Sequence, residues 1–274
     1  MYVCVCVQSL LFLSSQQCPH SKRKEYEEAK EKKRNERKEI KFYVQLYKKK
    51  TNLIMAINVV SVNETDLIDR CITILQNNGV IAVPTDTIYG FAALVSSEEA
   101  VRRIYEIKGR SFTKPLAMAV GYVADVFTWS KPTLTKEQLS SGDLLPGPVT
   151  LMFERQASLP SYFNPNVSNV AIRIPNCQFM IELAQRLKQP IALTSANYSN
   201  DPSSISIEEF QPLWSQLDLI VDAGVLASND RRGSTIVNLS QKDYFHVQRQ
   251  GIDHERITQY LKDHCHLQEQ TTVL

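Results

Sequence analysis

From Val59 onward, apolar residues recur with two clear periods. Leu67, Ile68, Cys71, Ile72 and Leu75 fall at helical spacing, and Asn78-Gly79 supplies the stop. Ser97-Glu98-Glu99 reads as the capped start of a second helix, with Val101, Ile104 and Tyr105 facing inward. The spacing predicts further helices over residues 177–188 and 253–263, and another near 206–216. Between them lie short apolar runs closed by turn residues. They are Val80–Val83 (ended by Pro84), Phe91–Val95, Leu116–Val120, Val149–Phe153, Val170–Ile174, Ile191–Leu193, Leu219–Val221, Thr235–Leu239 and Tyr244–Gln248. Helices do not separate every strand pair, so the pattern predicts an α/β domain built on a mixed sheet. No repeat or low-complexity tract interrupts residues 56–265.

The first fifty residues follow a different pattern. Met1–Leu13 holds an apolar stretch too short to span a bilayer, and it lacks the basic start of a standard secretory signal. Residues 21–50 are an alternating Lys/Arg/Glu run that forms either a solvated helix or a disordered segment. A mitochondrial presequence fits its net basic character, against which stand six glutamates. Met55 immediately precedes the ordered pattern, so it is read as the natural start, or residues 1–54 as a removable extension. The expected division is an extension over 1–54, the folded domain over 55–265 and a tail over 266–274.

Charge sharpens that division. Residues 21–50 carry a net +7, whereas residues 51–274 carry a net −5. A mildly acidic domain does not coat nucleic acid by bulk charge, so its cations matter by position. With 43% apolar residues the chain can bury a substantial core. The six cysteines form no Cys-x-x-Cys pair, and free thiols are expected. His264-Cys265-His266 has metal-friendly residues but no companion cluster, so it reads as part of a solvated tail.

Five segments at strand ends gather hydroxyls and cations. They are Pro84–Gly90, Lys108-Gly109-Arg110 with Lys114-Pro115-Leu116, Pro146–Thr150, Thr194-Ser195-Ala196-Asn197 and Gly233–Val237. Lys108, Arg110 and Lys114 place three cations within seven residues, which suits a phosphate or carboxylate clamp. Lys108 equally complements a helix C-terminus. Arg173 lies in an apolar strand, where it either points to solvent at a sheet edge or is buried and needs an anionic partner. Neither Gly-x-Gly-x-x-Gly nor a Gly-x-x-x-x-Gly-Lys-Ser/Thr loop is present. All five histidines fall outside the segments, which disfavours a Ser-His-Asp hydrolase, and paired carboxylates for a glycosidase are lacking.

The order of these segments resembles the YrdC family, the threonylcarbamoyl-AMP synthases, and its eukaryotic branch in particular. The residues that carry the resemblance span about 60–252. They are Pro84-Thr85-Asp86-Thr87-Ile88-Tyr89-Gly90, Lys108-Gly109-Arg110-Ser111 with Lys114-Pro115-Leu116, Leu144–Leu151, Ile172–Pro175, Leu193–Asn197 and Gly233–Val237. The resemblance implies a YrdC-like α/β fold, a twisted mixed sheet whose concave face forms the substrate pocket. It implies a nucleotidyltransferase that joins L-threonine, bicarbonate and ATP into threonylcarbamoyl-AMP and pyrophosphate, with Mg²⁺ accompanying ATP. A threonylcarbamoyl transferase complex then modifies tRNA next to the anticodon, and the synthase itself makes a weak tRNA contact. The implied compartment is cytoplasmic, with a mitochondrial share, and no membrane span.

By position, the resemblance assigns Lys108 and Arg110 to catalysis, at the phosphates and the reacting carboxylate. Thr87, Tyr89, Lys114, Arg173 and Ser234 fall on the threonine side. Asn169, Ser195, Asn197, Ser203 and Arg249, together with Lys108 and Arg110, fall on the nucleotide side. No protein side chain is assigned to metal. Two departures stand out: Ser111 replaces the commoner proline, and Arg249-Gln250-Gly251 replaces Arg-Pro-Gly, which questions the stiffness of that loop. The alternative from another class is a non-catalytic tRNA or double-stranded RNA-binding module, which the acidic balance of residues 51–274 weakens. A carbamoyl-adenylate domain like that of hydrogenase maturation proteins is a second rival.

Overall fold

The computed structural model describes residues 20–112, 114–227 and 230–270. Packing divides the chain into two units, one ending at Ala56 and the other comprising Ile57–Leu274. The basic run of residues 21–50 is helical, within α1 (His20–Asn58). Every side chain from Glu27 to Phe42 is exposed, as a solvated helix requires. Residues 1–19, and with them Cys4, Cys6 and Cys18, lie outside the described residues.

The second unit runs β1 (Val59–Ser61), α2 (Leu67–Gln76), β2 (Ile81–Val83), β3 (Gly90–Leu94), α3 (Glu98–Lys108), β4 (Ala117–Ala119), α4 (Val123–Trp129), β5 (Ser130–Lys131), α5 (Lys136–Leu139), β6 (Val149–Arg155), β7 (Asn169–Arg173), α6 (Gln178–Leu187), β8 (Ile191–Ser195), a 3₁₀ helix (Glu208–Gln216), β9 (Leu219–Asp222), β10 (Thr235–Asn238), β11 (Tyr244–Arg249), α7 (His254–Asp263) and β12 (Gln268–Glu269). The sheet order is β1-β9-β2-β3-β8-β4-β7-β6-β10-β11-β12, with β5 beside β6. Parallel pairs (β1–β9, β9–β2, β4–β7, β6–β10, β11–β12) are interspersed with antiparallel ones, as the mixed-sheet reading requires.

Strand alternation divides the core. On β2 and β3, Ala82, Phe91 and Ala93 face one cluster, while Ile81, Val83, Ala92 and Leu94 face the other. The second cluster is closed by α2, through Leu67, Cys71 and Leu75, and by α6, through Phe179, Met180, Leu183 and Leu187. The first is closed by α3 and the 3₁₀ helix, whose Phe210 meets Phe91 edge-on at 5.8 Å. Helix α3 begins as the sequence predicts, with the Ser97 hydroxyl accepting from the Ala100 amide at 3.1 Å. It ends at Gly109, which takes a left-handed φ of 55°.

Two expectations are corrected and two short helices are added. The helix near 206–216 is 3₁₀ in form, because Pro212 sits inside it and Phe210 leaves helical geometry. Helices α4 and α5 were not legible; the seven-residue α4 is capped by Asp125 accepting from the Tyr122 amide at 2.9 Å. The His264–His266 stretch is not a solvated tail, since Cys265 is buried and Leu267 packs into the core. Beyond it, Gln268–Glu269 pairs with β11. Cys71, Cys177 and Cys265 are free thiols. Among the described residues no helix is long and apolar enough to cross a membrane.

Candidate active site

Seven neighbouring strands, β3 to β11 in sheet order, and the loops beside them enclose a hollow with ≈ 960 Å³ of empty space, part of it open to solvent. Its floor follows from the two-residue strand period. Asn169, Ala171 and Arg173 of β7 face the hollow while Val170 and Ile172 enter the core, and Thr150 with Met152 on β6 does likewise. Ser195 ends β8 at one wall. Ser234, just before β10, and Arg249, ending β11, form another.

The electrostatics are one-sided. Arg110, Arg173 and Arg249 all line the hollow, and among the described residues no carboxylate does. Burial lowers the pKa of each, and the charge of Arg173 lowers that of Arg249 further. Arg173, 5% exposed, donates through Nη2 to Asp86 Oδ1 at 2.5 Å. Asp86 also accepts from the Asn176 amide at 2.9 Å. The two readings of Arg173 thus resolve to a buried arginine with an anionic partner. Two buried guanidinium nitrogens, Arg110 Nε and Arg173 Nε, have no hydrogen-bond partner. A buried donor left unmade costs about 1–3 kcal/mol, which an entering anion would relieve.

Arg110 is aimed by the helix stop. Gly109 turns the chain, the Arg110 amide closes on the Tyr105 carbonyl at 2.9 Å, and the guanidinium reaches Thr194 Oγ1 (3.2 Å) and the Pro115 carbonyl (3.1 Å). Lys108 does otherwise. It is 2% exposed, stands off the wall, and donates to the Ser195 carbonyl, the Asn197 carbonyl (2.8 Å) and Asn197 Oδ1 (3.3 Å). Burial first, then the charge of Arg110, pushes its pKa down to about 7, while the oxygens around Nζ favour the ammonium. Lys108 therefore sits one layer behind Ser195, tying down the loop that carries it.

The remaining expected residues divide in the same way. Tyr89 lines the hollow, and its hydroxyl donates to the Gly224 carbonyl (2.8 Å) while accepting from the Ala223 amide (2.9 Å). Asn169 lines it and donates to Ser240 Oγ at 3.3 Å. Ser234 Oγ is 2.8 Å from Thr150 Oγ1 and accepts from Arg249 Nη2 at 3.2 Å. Thr87 is fully buried behind the wall, 3.1 Å from the hydroxyl of Thr85, and it is Thr85 that reaches the lining. Asn197 turns away to the Tyr198 and Asp201 carbonyls and borders a separate cavity. Ser203 lends its carbonyl to Arg231 at 2.8 Å, and Lys114 bridges outside to Asn200 Oδ1 at 3.0 Å. Sequence reasoning missed Thr150, Thr194 and Asn164 as lining residues. Thr150 and Thr194 belong to segments already singled out, whereas Asn164 carries no local signal. The loop at Gln250 is pinned without proline, since Arg249 holds the Ser234 carbonyl at 2.8 Å and the Gly251 amide holds Thr235 Oγ1 at 3.0 Å.

Comparison with known proteins identifies the family. The Sua5/YciO/YrdC family, described as "Telomere recombination", matches residues 73–251. Threonylcarbamoyl-AMP synthase of Mus musculus is 44% identical over 202 residues, covering 72% of this chain and 71% of that protein. The Homo sapiens protein of the same name is also 44% identical, with 72% of each chain covered. Among solved structures, Pyrococcus abyssi Sua5 complexed with L-threonine superposes with a TM-score of 0.69 at 24% identity, covering 78% of this chain and 62% of that one. A variant of the same archaeal protein gives 0.63 at 26% identity, covering 70% and 60%. The chain thus spans about three fifths of those two Sua5 chains. A profile matched over most of the domain, relatives at 44% identity and a shared fold place the chain in the Sua5/YciO/YrdC family.

Proposed function

We propose that this protein is an L-threonylcarbamoyladenylate synthase, joining L-threonine, bicarbonate and ATP with release of pyrophosphate. The observation that carries the reading is the hollow lined by Arg110, Arg173 and Arg249, with no lining carboxylate among the described residues. The names of the mammalian relatives supply the reaction. Threonine carbamate is a weak, anionic nucleophile, and it must approach an anionic α-phosphate. Repulsion and alignment are the obstacles, so fixed cations serve better than a strong base. Arg173, braced by Asp86, would take the threonine carboxylate, with the Ser234 and Thr150 hydroxyls beside it. Arg110 and Arg249, with Ser195, would receive the nucleotide. Lys108 would act from behind, holding the Ser195–Asn197 loop and adding positive charge at the phosphates.

Mg²⁺ enters as part of the substrate, carried on the triphosphate. Asp86 is already engaged by Arg173 and Asn176, and among the described residues no three His, Cys, Asp or Glu gather as a metal cage. The product is consumed by a threonylcarbamoyl transferase complex acting on tRNA, which the synthase touches weakly, in the cytoplasm and in the mitochondrion. The test is pyrophosphate release from Mg-ATP by the full chain. Release should require threonine and bicarbonate together. Release that ignores threonine would refute the assignment, and salt-sensitive RNA binding without turnover would favour the RNA-binding module.

A further inference from the structure

We propose that Asn164 is a positioning residue for Arg110, acting through the backbone of Pro115-Leu116 and held in turn by Arg155. The inference rests on the reading of Arg110 as a nucleotide-binding cation. Leu116 precedes β4 and lacks a strand partner at this point. The Asn164 side chain takes that place. Its Oδ1 accepts from the Leu116 amide at 2.8 Å and its Nδ2 donates to the Leu116 carbonyl at 2.8 Å. Both polar atoms of the amide are thereby engaged by backbone, so Asn164 borders the hollow as a brace. The next carbonyl along, that of Pro115, receives Arg110 Nη2 at 3.1 Å. The Tyr105 hydroxyl secures Lys114 in the same segment by donating to its carbonyl at 3.1 Å. Displacing Leu116 therefore moves the acceptor that sets the guanidinium against Thr194.

Asn164 is itself fixed from the far side. Its φ of 53° is a left-handed conformation that asparagine tolerates better than most residues. Arg155, at the end of β6, donates to the carbonyls of Leu159 (3.3 Å), Pro160 (2.9 Å), Phe163 (2.9 Å) and Asn164 (3.2 Å). One guanidinium thus gathers the loop after β6 into a single geometry. Nothing in this relay touches the threonine side at Arg173 and Ser234, so its influence should be confined to the nucleotide.

The test is a double-mutant cycle read by ATP affinity, titrated in the absence of threonine. Glycine suits the left-handed backbone, so Asn164→Gly removes the amide without imposing strain. Asn164→Gly should weaken ATP binding by about 10- to 100-fold through misplacement of Arg110. Threonine affinity should stay within about twofold. Added to Arg110→Ala, the same change should cost no more than about twofold further, because two residues acting as one unit are not additive. Exchange of the Leu116 amide should become fast in Asn164→Gly. Should that variant fail to fold, Arg155→Lys, which leaves some carbonyls unreached, must show a smaller loss with the same cycle. Full additivity, or wild-type ATP affinity in the single variant, overturns the inference. Wild-type ATP affinity in Arg110→Ala alone overturns the nucleotide reading instead.

Discussion

Replacing Asp86 with asparagine removes the carboxylate that pairs with Arg173 and leaves a guanidinium of 6% side-chain exposure without its counter-charge. Removing one partner of a buried pair costs about 3–5 kcal/mol. Asparagine keeps the shape and one acceptor for the Asn176 amide, so the lower end applies, about 3 kcal/mol. For a domain of this size that lowers the melting temperature by roughly 6–12 °C. The same change adds one positive charge beside the hollow, so an anion should bind the variant more tightly and stabilise it more. The assay is thermal denaturation of the full chain with and without inorganic phosphate. Asp86→Asn should melt lower than wild type and recover more of its stability when phosphate is added. Melting within about 2 °C of wild type, or equal phosphate gains in both, would refute the reading of Asp86 as the counter-charge of Arg173.

Arg110→Ala should abolish adenylate formation, losing at least about 100-fold in kcat/KM, while its melting temperature moves by only a few degrees; a fully active variant contradicts its role. Lys108 titrates lower in the folded chain than the ordinary lysine value, at about 7. The unfolded chain therefore binds more protons between about pH 7 and 10.4, and stability gains up to about 1.4 kcal/mol per pH unit across that window. Below it, both states are protonated and the penalty is at its full size. Urea denaturation of wild type and Lys108→Met at pH 7 and pH 9.5 should show the gain in wild type alone; parallel pH dependences would refute it. Gly251→Ala would set a methyl 2.4 Å from the Gly233 carbonyl oxygen and 2.5 Å from that of Ser234. Overpacking against backbone should cost about 1–3 kcal/mol and weaken threonine binding, so unchanged urea midpoint and threonine KM would count against Ser234 as a substrate contact.

Much of this was legible in the sequence because strand alternation and capping are local signals. The apolar run around Arg173 fixed which residues share its face, and Ser97 and Gly109 marked both ends of α3. The side-chain directions beyond those ends were harder to read. Helical side chains lean toward the N-terminus, so Lys108 in the last turn folds back beneath the Ser195 loop, while Arg110, past the left-handed turn, reaches the wall. Adjacent cations in one motif thus occupy different layers. The Asn164 brace was invisible, since its partner lies 48 residues away and its loop has no period. Helix α4 was too short to display one, and Pro212 tightened the expected helix into 3₁₀ form.

The most direct test of the account supplies the full chain with Mg-ATP, L-threonine and isotopically labelled bicarbonate. The products are then separated for mass and label. A labelled threonylcarbamoyl adenylate should form together with an equal amount of pyrophosphate and be lost in Arg110→Ala. ATP that stays intact, or label that never reaches a nucleotide, would contradict it.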